Sequence, residues 1–207
     1  MTHREKIAMT DSTVEYYNTN ADTFLSETMT VDFSETQDIF LERLSQGALI
    51  LDFGCGSGRD ALAFLKQGCR VEAVDGSAEM CRAAAALTGL PVRQMLFQEL
   101  DASEKYDGIW ACSSILHLPA EELENVLKKM KIALKKDGVI YTSFKYGTFQ
   151  GERKGRYFTD FTEETFAEFI RKIKGLLIEK LWITADVRPG RENEKWLNIL
   201  LRKQTIR

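Results

Sequence analysis

The sequence predicts a doubly wound α/β fold: a mostly parallel seven-stranded sheet, one antiparallel strand near its edge, and helices on both faces. Three observations predict it. Five apolar, strand-like segments alternate with helix-like segments between residues 48 and 145. A cluster of glycines, Gly54, Gly56 and Gly58, directly follows the first of these strands. Near the carboxyl end, two more strand-like segments are joined only by the short turn RPGREN, which predicts an antiparallel pair.

The first elements follow from apolar periodicity. About the first 30 residues are polar and aromatic and predict helix and loop, and Ser34 and Gln37 are spaced as a capping box that opens the next helix. The first strand is predicted over ALILDF and the next helix over RDALAFLKQG, where Ala61 and Leu65 share an apolar face. The second strand is predicted over RVEAVD and ends on an acid.

The remaining elements continue this alternation. A helix is predicted over SAEMCRAAAALTG, capped by Ser77 and ended by Gly89. Strands three and four are predicted over VRQMLF and YDGIWACS, a long amphipathic helix over PAEELENVLKKMKIALKKDG, and strand five over VIYTSFK. We then expect a glycine-rich basic loop, YGTFQGERKGR, and a helix that Thr162 caps. The last two strands are LLIEKLWITADV and EKWLNILLRK.

Composition argues against several classes of protein. The net charge of −3 argues against general nucleic-acid binding. The chain has four cysteines without a CxxC pair and only two histidines, so we expect reduced thiols and no metal site. No apolar run has the length of a membrane span, and the first residues lack the apolar core of a signal peptide. We therefore expect a cytoplasmic protein with no membrane partner.

The glycine loop favours a nucleoside that carries no phosphate. A Walker loop needs a GK pair, which is absent, and a dinucleotide fingerprint needs a third glycine where this chain has Arg59. Asp52 ends the first strand, where a carboxylate repels pyrophosphate and suits an ammonium group. Asp75 ends the second strand, where a carboxylate accepts hydrogen bonds from ribose hydroxyls. This pair of acids predicts a ligand such as S-adenosyl-L-methionine.

The motifs ILDFGCGSGRDA, VEAVDGSAEM and YDGIWACSSILHL resemble the nucleotide-site segments of class I S-adenosylmethionine-dependent methyltransferases, over about residues 13–145. Within that superfamily, GCGSGRDALAFL and the tail FKYG, GRYFTDFTEETF and DVRPGRENEKWLN resemble small bacterial methyltransferases of the tellurite-resistance type. The resemblance implies a Rossmann-like fold and an enzyme whose cofactor is S-adenosyl-L-methionine and whose product is S-adenosyl-L-homocysteine. No metal is expected.

The resemblance also implies which residues hold the donor. The first acid and the glycine backbone meet the methionine part, the second acid holds the ribose, and the segment after strand three borders the adenine. Small side chains after strand four border the methyl group, and an N-terminal aromatic cover suits the cationic sulfonium. The expected donor residues are Tyr17, Asp52, Gly54, Cys55, Gly56, Asp75, Gly76, Met80, Phe97, Ala111 and Cys112.

Two groups of residues are candidates for the acceptor side. His117 follows strand four and suits a proton acceptor near pH 7; the alternative is a histidine with a structural hydrogen bond. Arginines that gather over a cationic donor favour capture of a small anion. These expected acceptor contacts are Arg156, Tyr157, Arg188 and Arg191. The alternative is a solvated basic loop paired with Asp186 and Glu192.

The function predicted from these features is methyl transfer to a small-molecule nucleophile, anionic or soft, by in-line displacement. The alternatives are a non-catalytic protein that binds the donor or its product, and a methyltransferase that acts on a macromolecule. We expect one domain over residues 1–207. Residues 1–45 form a helical cover, 46–145 the cofactor-binding core, and 146–207 a substrate-side loop, helix and strand pair. Oligomeric state does not follow from the sequence.

Overall fold

A computed structural model of the chain describes residues 12–204. The beginning of the expected N-terminal cover, residues 1–11, and the last three residues lie outside this described part. Within residues 12–204, none of the helices has the length and hydropathy that a membrane-spanning segment requires.

The helices and strands alternate as the sequence predicts. The helices are α1 (residues 12–19), α2 (Ala21–Thr28), α3 (Ser34–Leu41), α4 (Arg59–Lys66), α5 (Ala78–Thr88), α6 (Ala120–Ala133) and α7 (Glu163–Ile170). The strands are β1 (Leu49–Phe53), β2 (Arg70–Asp75), β3 (Val92–Gln94), β4 (Tyr106–Ala111), β5 (Leu134–Lys145), β6 (Gln150–Arg153), β7 (Arg156–Thr159), β8 (Leu176–Ala185) and β9 (Lys195–Lys203).

The main sheet has seven strands in the order β3-β2-β1-β4-β5-β9-β8. Strands β1 to β5 are parallel, and β9 runs antiparallel to both of its neighbours. This confirms the predicted fold class, including the reversed strand near the edge. Because Lys145 pairs with Trp196 and Ala185 with Lys195, the β8–β9 turn lies at the same end of the sheet as the carboxyl end of β5.

Side chains of the central strands alternate between two buried layers, as the pleat requires. In β1, Leu51 belongs to the layer that α6 and α7 cover, whereas Ile50 belongs to the layer that contains Phe64 of α4. In β4, Ile109 belongs to the layer of Leu51 and Trp110 to the layer of Ile50. Helices on both faces therefore enclose the sheet.

Local signals at helix ends are only partly as expected. Ser77 accepts a hydrogen bond from the Met80 N–H at 3.2 Å, as predicted for a cap. The predicted Ser34–Gln37 capping box is wrong. Asp32 instead accepts hydrogen bonds from the Ser34 N–H and hydroxyl, at 2.9 and 2.7 Å, and Gln37 turns into the protein interior.

The expected glycine-rich basic loop is instead a β-hairpin, β6–β7. Its strands pair from Gln150 with Thr159 to Arg153 with Arg156. The two turn residues, Lys154 and Gly155, have φ of 52° and 75°. Two consecutive positive φ values give the type I′ turn, whose twist matches that of the flanking strands. The short, charged strands explain why apolar patterning did not reveal the hairpin.

We predict that Gly58→Ala destabilises the protein more than Gly68→Ala. Both glycines have left-handed φ, 80° and 81°, which costs about 1–2 kcal/mol in alanine. A Cβ at Gly58 would lie 2.9 Å from Ala84 Cα, whereas nothing lies within 4 Å of one at Gly68. Overpacking adds about 1–3 kcal/mol at Gly58 only. Urea unfolding of both variants measures the difference, and equal losses contradict this account of α4–α5 packing.

Candidate active site

A cavity of about 610 Å³ opens at the carboxyl ends of the parallel strands. Its floor contains the glycine loop after β1 and the ends of β2, β4 and β5. Its roof is formed by α1, α2 and the β6–β7 hairpin, and one side by the β8–β9 turn. In doubly wound sheets, ligands bind outside the carboxyl ends of the strands, so this cavity is the candidate site.

The glycine loop is held against the end of β2. Gly56 has φ 52° and donates its N–H to Asp75 Oδ2 at 2.9 Å, while Asp75 Oδ1 accepts from the Ser77 N–H at 2.9 Å. A Cβ at Gly54 would lie 2.5 Å from Ser114 Cβ, so a larger residue does not fit. Burial raises the pKa of Asp75, and these backbone donors favour its ionised form.

Beside Asp75, the cavity wall is apolar. Met80, Leu96 and Phe97 line it together with Gly76. The ring of Phe97 packs edge-on against Phe53, with centroids 4.9 Å apart. This slot suits a planar ring, and the neighbouring carboxylate suits its hydroxylated substituent.

Aromatic side chains of the roof lie directly above the glycine loop. The rings of Tyr17 and Phe24 meet edge to face at 5.1 Å, and a Cβ at Gly56 would lie 3.3 Å from the Phe24 ring. Both side chains line the cavity. They exclude water from the loop and offer aromatic faces to a cation.

A hydrogen-bonded chain connects the roof to β4 and the hairpin. Arg156 Nη1 donates to the Tyr17 hydroxyl oxygen at 3.2 Å, and that hydroxyl lies 2.9 Å from His117 Nε2. His117 Nδ1 lies 2.7 Å from the Tyr157 carbonyl, which only accepts. His117 therefore donates from Nδ1 and accepts from Tyr17 at Nε2. Burial lowers the pKa of His117 to about 4, so the ring is neutral.

Comparisons with known proteins agree with this geometry. Residues 50–138 match the protein family described as a methyltransferase domain. The chain is a methyltransferase. No curated protein sequence matches it.

Solved structures show the same fold in methyltransferases. A Burkholderia thailandensis 1,6-didemethyltoxoflavin-N1-methyltransferase, with bound 1,6-didemethyltoxoflavin and S-adenosylhomocysteine, is 25% identical with a TM-score of 0.78, over 99% of this chain and 92% of that one. A Synechocystis PCC 6803 magnesium protoporphyrin IX methyltransferase with bound S-adenosylhomocysteine is 18% identical, with a TM-score of 0.70 over 92% and 97%. A Methanosarcina mazei S-adenosylmethionine-dependent methyltransferase is 17% identical, with a TM-score of 0.70 over 81% and 98%.

The structure of this methyltransferase brings most of the expected site residues to one cavity. The expected residues that line it are Tyr17, Gly54, Cys55, Gly56, Asp75, Gly76, Met80, Phe97, Cys112, His117, Arg156, Arg188 and Arg191. Burial raises the pKa of Cys112 to about 12, so this thiol stays protonated at neutral pH. Within residues 12–204, no cluster of three or more His, Cys, Asp or Glu side chains is arranged to hold a metal ion.

Three expected residues do not line the cavity: Asp52, Ala111 and Tyr157. Asp52 lies on the same face of β1 as Ile50, beneath α4, and accepts a hydrogen bond from the Ala61 N–H. Its burial raises its pKa well above the usual range. Ala111 points into the core on the opposite face of the sheet. Strand alternation places the Asp52 and Ala111 side chains outside the cavity lining, and the expectation that they contact the donor stays a prediction.

Asp60, in the first turn of α4, is a cavity residue that the sequence analysis missed. It accepts hydrogen bonds from Gln37 Nε2 at 2.7 Å, from Trp110 Nε1 at 2.8 Å and from Arg59 Nε at 2.7 Å. Arg59 lines the cavity beside it, with its guanidinium 4.9 Å from the centre of the Phe33 ring. The detectable signal was a charged pair directly after the glycine loop.

The arginines of the β8–β9 turn are neutralised by carboxylates. Arg188 Nη2 lies 2.6 Å from Asp186, and Arg191 lies 3.2 Å from Glu27 of α2. Asp186 is thus an ion-pair partner of Arg188, as expected for a solvated basic loop and not for a site that captures an anion. Glu192 is not a partner of these arginines, because its carboxylate accepts the N–H of the turn residue Gly190. This ion-pair network joins the turn to the roof.

We predict that His117 contributes stability that is lost in acid. Its pKa is about 4 when folded and about 6.5 when unfolded, so the unfolded state binds the proton first as the pH falls. Relative to His117→Gln, the wild-type protein should lose about 2 kcal/mol of unfolding free energy between pH 7.5 and pH 5. Urea unfolding of both proteins at each pH measures this loss. The contributions of the other titrating groups are the same in both proteins and cancel in the difference. A difference that is independent of pH contradicts a neutral, buried His117.

Proposed function

We propose that this methyltransferase transfers a methyl group from S-adenosyl-L-methionine to a small-molecule nucleophile bound in the same cavity. The observation that carries the proposal is the junction of the glycine loop with Asp75. The positive φ values of Gly54 and Gly56 shape the loop that donates the Gly56 N–H to Asp75, and this carboxylate at the cavity is the group that would accept hydrogen bonds from ribose hydroxyls. The Burkholderia thailandensis structure with bound S-adenosylhomocysteine supports this donor.

The donor set fits the parts of the adenosyl compound. Met80 and Phe97 form the apolar slot for the adenine, and Asp75 holds the ribose. The amino-acid tail carries an ammonium and a carboxylate. The Arg59 guanidinium lines the cavity beside Asp60, its partner at 2.7 Å, and is the group that would meet the tail carboxylate.

When bound, S-adenosyl-L-methionine supplies a methyl group that is activated by a sulfonium. The nucleophile takes the methyl group in line, and the electron pair of the broken carbon–sulfur bond stays on sulfur. The protein aligns the two reactants, which is worth on the order of 7–11 kcal/mol. Tyr17 and Phe24 cover the glycine loop and keep water out. Because His117 is neutral with both ring nitrogens hydrogen-bonded, its role is to orient Tyr17.

The acceptor side of the cavity contains one unpaired guanidinium. The other four arginines of the described wall each have a carboxylate partner, whereas Arg156 has none among the described residues. Arg156 is therefore the contact for an anionic or electron-rich acceptor. In this assignment of roles to segments, residues 12–45 cover the site, residues 46–145 bind the donor and residues 146–204 bind the acceptor. The Burkholderia thailandensis relative acts at N1 of the small molecule 1,6-didemethyltoxoflavin, which supports a small acceptor.

We predict that the protein binds S-adenosylhomocysteine and that Asp75→Asn weakens this binding by about 10–100-fold. The substitution removes the charge from hydrogen bonds worth about 1.5–3 kcal/mol. Glu79→Gln, in the first turn of α5 and with a side chain that is 42% exposed, is the matched control and should bind as the wild type does. Isothermal titration with S-adenosylhomocysteine and with NAD decides the point. Binding of NAD alone, or equal affinity in Asp75→Asn, overturns the donor assignment.

We predict that methyl label from S-adenosyl-L-methionine enters the small-molecule fraction of a cell extract. The extract is divided by ultrafiltration, and each fraction is incubated with the protein and radiolabelled donor. The same incubation with the Asp75→Asn variant gives the background incorporation of label. Label that appears only in precipitable protein or nucleic acid contradicts a small acceptor, and label in neither fraction contradicts the transferase activity on cellular compounds.

A further inference from the structure

Strand β7 and the residue that follows it, Asp160, present every second side chain to the cavity. Arg156, Phe158 and Asp160 line it, whereas the intervening Tyr157 and Thr159 do not. The other face of the strand is fixed to the methyltransferase core. The Tyr157 carbonyl bonds to His117, and the Thr159 hydroxyl donates to the Leu118 carbonyl at 2.8 Å. The strand therefore holds a rigid strip of three side chains, Arg156, Phe158 and Asp160, toward the ligand.

Arg156, at one end of the strip, has a hydrogen-bond donor that is not used within the described residues. Its guanidinium lies 4.2 Å from the centre of the Tyr16 ring, and Nη1 donates to Tyr17. The Nε–H is buried and has no hydrogen-bond partner among the described residues. A ligand oxygen or ring nitrogen near this guanidinium would accept from it.

Asp160 ends the strip with an unused acceptor. Its side chain is 5% exposed, and Oδ2 accepts from Arg153 at 2.6 Å. Oδ1 is buried and has no partner in the described part of the chain. An unsatisfied buried acceptor is unfavourable, and an N–H group of a ligand relieves it. A simple apolar or purely anionic ligand leaves Asp160 unsatisfied.

We propose that this strip recognises the methyl acceptor as a planar nitrogen heterocycle of the cyclic amide or imide class. A carbonyl or ring nitrogen accepts from Arg156, the ring lies along Phe158, and an N–H donates to Asp160. The end positions are four residues apart, which is about 13 Å between Cα atoms in extended chain, and two side chains with a bicyclic ring between them can span this distance. The proposal rests on the proposed function, because donor and acceptor share the cavity.

The test uses lumazine, a bicyclic imide with N–H groups, and 1,3-dimethyllumazine, which keeps the carbonyls and lacks the N–H donors. Both are titrated into protein saturated with S-adenosylhomocysteine. Wild-type protein should bind lumazine at least about tenfold more tightly than the dimethyl compound, which is one charged hydrogen bond. Asp160→Leu should abolish this preference. Arg156→Met should weaken both ligands about tenfold and keep the preference.

Controls separate the strip from general damage and from the donor site. Glu152→Gln lies on the exposed neighbouring strand and should match the wild type. S-adenosylhomocysteine affinity of each variant reports a folded donor site. If S-adenosylhomocysteine does not bind to the wild-type protein, the result overturns the proposed function itself. If it binds, the strip is overturned when wild-type protein binds neither lumazine, shows no preference between the two, or keeps its preference in Asp160→Leu.

Discussion

The contact between the Gly56 N–H and the Asp75 carboxylate, at 2.9 Å, is the one on which the rest of the site depends. It joins the loop after β1 to the end of β2 and leaves the carboxylate at the cavity surface. The left-handed φ of the glycines makes the contact possible, and the close approach of α4 to α5 at Gly58 holds the helix that follows. The geometry of the cavity floor and the packing of the sheet therefore depend on the same loop.

Charge around the cavity is mostly compensated within the protein. Asp60 is saturated by hydrogen bonds from Gln37, Arg59 and Trp110, and Asp186 is bound by Arg188 and Lys145. Because buried charges are costly unless paired, these networks set the shape of the walls. The few groups left without partners are consequently the informative ones. Of the buried polar side-chain atoms of residues 12–204 that lack a hydrogen-bond partner, Arg156 Nε and Asp160 Oδ1 lie on the hairpin or directly after it, whereas Asp52 Oδ2, Gln98 Oε1 and Thr142 Oγ1 lie elsewhere.

Sequence patterns predicted well what depends on neighbours in the chain. Apolar periodicity gave the strands and helices of the core, and GxGxG followed by an acid at the end of β2 predicted the donor site. These patterns did not predict side-chain direction. Asp52 has the residue type expected for a ligand contact, but its pleat position points it beneath α4. Tyr157 lies between two cavity residues and faces the other way.

The order of residues by itself determined the fold class, the adenosyl donor and the methyltransferase class, because each depends on local spacing along one β-α-β unit. The tertiary structure alone decided which charges are free. Glu27 neutralises Arg191 from a helix far away in the chain, and burial among distant segments lowers the pKa of His117. Burial and pairing across the chain leave no trace in local patterns, since they exist only when distant segments are folded together.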